Sequence, residues 1–167
     1  MTQEIKNLST PFRPAPRIRS PDRSLTVDPT TINELIPLDA KARVVWRMVE
    51  ELDLTPLYQE IKSVDGHPGR PAIDPRILVA LWLYGTDEHI SSARELAERT
   101  TDCDPYKWIC GGVPVNYHTL ADFRLKHSEW LAQQITTTIA VMRAQGLVSL
   151  KNIGQDGMRV RAKAGND

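Results

Sequence analysis

Apolar residues recur with helical rather than strand spacing over most of the chain. Val44, Val45, Met48, Val49 and Leu52 fall on one face of a helix that Asp39 is placed to cap. Thr55-Pro56 has the cap-then-proline form of a second helix start, leading through Leu57, Tyr58 and Ile61. A loop over 65–71 separates these elements from the main body. The body opens at Asp74-Pro75, an N-cap followed by proline at the first helical position. From Ile77 to Tyr84 every residue is apolar, a pattern that fits a buried strand or a buried helix. The cap and the helix-favouring Ala and Leu decide for a central helix ending near Gly85. Ser92-x-x-Glu95 is a capping box for a helix with Leu96 and Ala97 inward. Asp104-Pro105 opens a short piece bearing Tyr106, Trp108 and Ile109, stopped by Gly111-Gly112.

Asn116 caps the longest predicted element, roughly residues 117 to 145, closed by Gly146. Its apolar stripe is Leu120, Phe123, Trp130, Leu131, Ile135, Ile139 and Met142. As one helix it would be about 40 Å long. Strand character appears only after Leu147, around an Asp156-Gly157 turn. At the other end, Pro11, Pro14, Pro16, Pro21 and Pro29 are interleaved with Arg13, Arg17, Arg19 and Arg23. This reads as an extended basic arm, either a loose terminus or a segment that lies along a DNA groove. The expected fold is mainly α: a multi-helix, helix-turn-helix-like domain with a long C-terminal helix, followed by a short β-hairpin stub. The expected division is a disordered arm over 1–30, a helical domain over 31–149 and the stub over 150–167.

Charge adds a limited constraint. The 167 residues carry 21 basic and 21 acidic groups, so no global field draws the chain to nucleic acid or anionic membrane. The ends are basic and the middle mildly acidic, and a short basic face suffices for phosphate contacts. Cys103 and Cys110 lack C-x-x-C spacing and point to reduced thiols. The longest apolar run is too short to cross a bilayer, so a soluble, cytoplasmic and nucleoid-associated protein is expected, with no membrane partner.

The order helix, short helix, turn, polar-fronted helix is that of a helix-turn-helix, in which the first residues of the second helix meet base edges. Those residues are His118 and Thr119, with Arg124 and Lys126 placed for phosphate. A solvated helix start is the plainer alternative. His127 lies near the apolar stripe and reads as a core histidine. Arg70, in Pro68-Gly69-Arg70-Pro71, is placed either in a plain turn or at a narrow minor groove. His67, His89, His118 and His127 do not fall at zinc-ligand spacings with the cysteines. Asp156-Gly157 is a common hairpin turn signal, and a catalytic role for Asp156 requires further carboxylates around a metal ion.

Several motifs occur together and in order. Gly69-Arg70-Pro71-x-x-Asp74-Pro75-Arg76-x-Leu78 comes first, then Ser91-Ser92-x-Arg94-Glu95-Leu96 and Trp108-x-x-Gly111-Gly112. His118-Thr119-Leu120-x-x-Phe123-Arg124 and Gln155-Asp156-Gly157-Met158-x-Val160-x-Ala162 complete the series. This set resembles the N-terminal part of bacterial insertion-sequence transposases of the DDE type, over about residues 69 to 162. The resemblance implies a helical DNA-binding domain followed by the start of an RNase H-like core. It makes Asp156 the first catalytic, metal-binding carboxylate, with Met158 where threonine is usual and Asn116 where aspartate is common. It implies Mg²⁺ as cofactor of the full-length family, which cuts and joins DNA strands by two-metal phosphoryl transfer. The expected partner is double-stranded DNA at the element's terminal inverted repeats, with a homo-oligomer open. After Asp156 the chain offers only Asp167 as a carboxylate. The expectation is therefore a truncated transposase, or its first piece, that binds ends but does not transfer strands or hold metal productively by itself. The alternatives are a stand-alone regulator competing with intact transposase, and an inert remnant.

Overall fold

The computed structural model describes residues 12–146. Asp156 and the expected hairpin stub lie outside them. The described residues are mainly helical, in agreement with the expected class. In chain order they form β1 (Ile18–Arg19), β2 (Thr26–Val27), β3 (Thr30–Thr31), a 3-10 turn (Ile32–Leu35), α1 (Lys41–Glu50) and α2 (Thr55–Gln59). β4 (Ala72–Ile73), α3 (Pro75–Asp87), α4 (Ala93–Asp102), α5 (Asp104–Cys110), α6 (Tyr117–Lys126) and α7 (Ser128–Ala144) follow.

The all-apolar run becomes α3, buried on every side from Ile77 to Gly85, with α1, α4, α5 and α7 packed around it. Burying each of Ile77, Leu81 and Leu83 contributes about 1.5–3 kcal/mol. The helix starts where expected. Asp74 is 0% exposed, accepts from the Arg76 amide at 3.0 Å, and takes further hydrogen bonds from the Arg76 guanidinium (Nη2 at 2.7 Å) and the Tyr58 hydroxyl (2.7 Å). The helix ends two residues past Gly85, at Asp87, where Lys41 of α1 reaches Asp87 at 2.5 Å and Glu88 at 2.9 Å. Gly85 therefore serves packing: a Cβ there would lie 2.7 Å from Leu96 Cδ1 of α4.

Other caps follow the sequence with two exceptions, one being Thr55, which is the first residue of α2 while Leu54 holds the N-cap position. Ser92 accepts from the Glu95 amide at 3.3 Å and Asn116 from the Thr119 amide at 2.8 Å. Gly111 closes α5 in the left-handed region at φ 53°. Asp39 does not cap α1, whose N-cap is Ala40. The Pro37–Ala40 turn closes on itself and is held by Arg43, which donates to the carbonyls of Pro37, Asn33 and Ile36, leaving Asp39 exposed.

Two larger expectations are corrected. Residues 12–30 are not a disordered arm but a strap along the helical body. β1 pairs in parallel with β4, Ile18 opposite Ala72 and Arg19 opposite Ile73. β2 and β3 form a small antiparallel pair. Arg13 donates to the Ile61 carbonyl, Arg17 to Gly69, Arg19 to Pro71 and Arg23 to Trp108. The prolines break helix, but a two-stranded edge needs amides only on alternate residues, so they are compatible with the strap.

The predicted long helix is two helices, α6 and α7, broken at His127 (φ −117°, ψ 27°). The apolar stripe continues across the break, with Leu120, Leu131 and Met142 all buried, so hydrophobic spacing does not reveal it. The Trp82 indole of α3 donates to the Leu120 carbonyl at 3.2 Å, and His127 turns towards Glu60.

Candidate functional site

Between β4 and α6 lies a groove of about 530 Å³. Its floor is apolar, from Leu57, Ile61, Ile73, Leu78 and Phe123. Its rim carries Arg19, Arg70, Thr119, Asp122, Lys126 and His127. Three of the sequence-predicted contact residues, Arg70, Thr119 and Lys126, therefore line one surface, although they are far apart in the chain. The strap brings Arg70 there by seating β1 on β4, and the Asn116 cap sets the start of α6 opposite.

The rim charges are unequally engaged. Lys126 pairs with Glu60 at 3.0 Å, and His127 Nε2 lies 3.2 Å from the same carboxylate. The His127 ring also stands 4.9 Å from Phe123, so it is a half-buried junction residue rather than a core one. Arg70 makes no hydrogen bond or ion pair among the described residues. Arg19 donates through Nε to Pro71 at 3.1 Å, and its guanidinium is held below the usual arginine value by burial and by the Arg70 charge. Thr119 serves the Asn116 cap through its amide and, at 3.1 Å, its hydroxyl.

His118 and Arg124 lie on other faces of α6. His118 is exposed and stacks on Tyr117, ring centroids 4.0 Å apart, and the Arg94 guanidinium lies 4.5 Å from the far partner's ring, that of Tyr117. Arg124 is exposed but engaged at the surface, donating to the Ser91 carbonyl and sitting 4.9 Å from the Trp82 ring. The packing partner of α6 is α4. Glu60 and Asp122 give no signal in the sequence. Arg19 joins the groove only through strand pairing with residues some fifty positions on, its own hydrogen bond spanning 52.

Asp156, the candidate metal ligand, lies outside the described residues. Among the described residues no three His, Cys, Asp or Glu side chains gather to hold a metal ion. No helix among them is long and apolar enough to cross a membrane.

No curated protein and no solved structure matches the chain. The model of one family, described as Transposase domain (DUF772), matches residues 30–126, from β3 to the end of α6. That span is more than half of the chain and includes Arg70, His118, Thr119 and Lys126. The chain belongs to the transposase domain (DUF772) family, and its function is tied to transposition.

Proposed function

We propose that the helical body binds double-stranded DNA at the terminal inverted repeats of its insertion element. The first residues of α6 meet base edges in the major groove, with His118 the reading side chain. Arg70 and Lys126 contact the phosphate backbone on one flank. The observation that carries the reading is the convergence of Arg70, Thr119 and Lys126 on one groove beside an exposed, capped helix start. Membership of the transposase domain family gives that surface a substrate class. Arg124, expected as a phosphate contact, is occupied by Ser91 and Trp82 and positions α6 instead.

In the same reading Asp156 is the first carboxylate of a DDE-type core, and Mg²⁺ would supply Lewis acidity at the scissile phosphate. The helical body delivers the DNA ends to it.

The test is binding of the full chain to a duplex carrying the element's terminal repeat, against a scrambled duplex of equal length. At physiological salt the repeat is expected to bind on the order of 10³-fold more tightly or better. Equal affinity for both duplexes, unchanged in H118A, would remove the end-binding assignment.

A further inference from the structure

We infer that Arg19 and Arg70 together form a subsite for one phosphate oxyanion, and that its ligand is a phosphodiester of the DNA backbone. The inference rests on the DNA-binding reading above and says which side chains carry the backbone contact.

The strap has four arginines, and each donates to a carbonyl of the helical body. Arg13 is tied to the Ile61 carbonyl, Arg17 to Gly69, and Arg23 lies between the Trp46 and Trp108 rings. Arg19 is different. Its Nε bond to Pro71 fixes the guanidinium against the residue that follows Arg70, while its two terminal nitrogens have no partner among the described residues. The register of β1 on β4 sets this placement, since Arg19 stands opposite Ile73. Both arginines open onto the same groove.

Two neighbouring guanidinium groups of like sign repel unless an anion lies between them. The available carboxylates do not serve. Glu60 is taken by Lys126 and His127, and Asp122 pairs with neither arginine. The depressed proton affinity of Arg19 has burial and the Arg70 charge as its causes, as expected of such an arrangement. An arginine fork held by one nitrogen and free at the other two matches a phosphate bidentately. Lys126, already neutralised by Glu60, is the weaker phosphate contact of the groove.

The experiment measures the slope of log affinity against log salt for the full chain on a labelled duplex. R70Q, R19Q, the double variant and K126Q are compared with the unaltered protein. Because both arginines serve one phosphate, the double variant is expected to make the slope shallower by about one, and each single arginine substitution by part of that. K126Q is expected to change it less than R70Q. Arg70 is exposed and without partners among the described residues, so R70Q leaves their packing intact; R19K, which keeps the charge, separates loss of the cation from loss of the strap contact by retaining most of the slope. Inorganic phosphate replacing chloride at matched ionic strength is expected not to displace the duplex. Unchanged slopes in R70Q and in the double variant, with duplex binding retained, would overturn the subsite and leave the DNA reading standing. Inorganic phosphate that binds the unaltered chain, with duplex affinity unchanged in R70Q, would overturn the backbone assignment. Absence of duplex binding by the unaltered chain would overturn both.

Discussion

The Arg23 guanidinium lies 3.8 Å from the centroid of the Trp108 ring, and its Nε donates to the Trp108 carbonyl at 2.9 Å. The Trp46 ring is 4.2 Å away, and the two indoles meet edge to face at 6.3 Å, with the guanidinium at their corner. One strap residue thus joins α1 to α5. Burial lowers its pKa to about 10, the Glu50 carboxylate partly opposing that and the Arg76 and Arg43 charges adding to it. R23A is expected to destabilise the protein by about 3 kcal/mol, from the lost cation–π contacts and a charge-assisted hydrogen bond. R23K, which keeps charge but not the planar stack, is expected to lose about 2 kcal/mol. Urea unfolding midpoints measure both, and an unchanged midpoint in R23A would show that the strap is not part of the folded unit.

Gly111 tests the same strap from the other side. At φ 53° a side chain is disfavoured, and a Cβ would lie 2.5 Å from Pro21 Cβ, 2.7 Å from Pro21 Cα and 2.8 Å from the Asp22 amide nitrogen. Gly111→Ala is expected to cost about 3 kcal/mol, from left-handed backbone strain and overpacking together. Gly66, at φ 79° but with nothing within 4 Å of a Cβ, is the control, and its Ala variant is expected to lose only about 1 kcal/mol.

Asp74 is a buried carboxylate whose titration bears on acid stability. Burial pushes its carboxyl up, but hydrogen bonds from the Arg76 and Tyr58 side chains and the Arg76 amide outweigh that, and the net shift is downward. A depressed aspartate stabilises the fold fully above its unfolded value of about 4, and that contribution is lost as pH falls through the lower folded value. D74N is expected to be less stable by about 2 kcal/mol at neutral pH and to show a shallower loss of stability in acid. Urea midpoints across the acid range check this. The partner group moves the other way: the Tyr58 phenol is raised to about 12 by burial and by Asp74. Its contribution is present below about pH 10 and fades as pH rises through 12.

Two residues of α6 separate reading from holding. H118A is expected to reduce discrimination against one altered base pair by about 1–3 kcal/mol without changing the salt slope. R124A is expected to lower stability by about 1–2 kcal/mol, through the lost Ser91 bond and Trp82 contact, with the salt slope unchanged. A shallower slope in R124A would return it to the phosphate contacts.

What was legible in the sequence was local. The Asp74, Ser92 and Asn116 caps and the Gly111 stop each depend on residues within a few positions, and the all-apolar run from Ile77 is central because it has no polar face to expose. The strap was not legible, because its arginines donate to carbonyls 48 to 85 residues away and a proline- and arginine-rich segment has the composition of a loose terminus. The break at His127 leaves the apolar spacing intact, so periodicity is blind to it. For the site, Arg70, Thr119 and Lys126 could be named from motif position, but their convergence depends on β1 pairing with β4. The Ser91 bond and Trp82 contact of Arg124 were not legible, because both partners lie in other elements of the chain.

In the proposed reading the groove and the start of α6 form the DNA face. Amide hydrogen exchange of the full chain, with and without the terminal-repeat duplex, tests it most directly. Slower exchange on binding is expected at Arg70–Ile73 and over Tyr117–His127, with α1 and α5 unchanged. Protection confined to α1 and α5, with none at Arg70 or along α6, would contradict it.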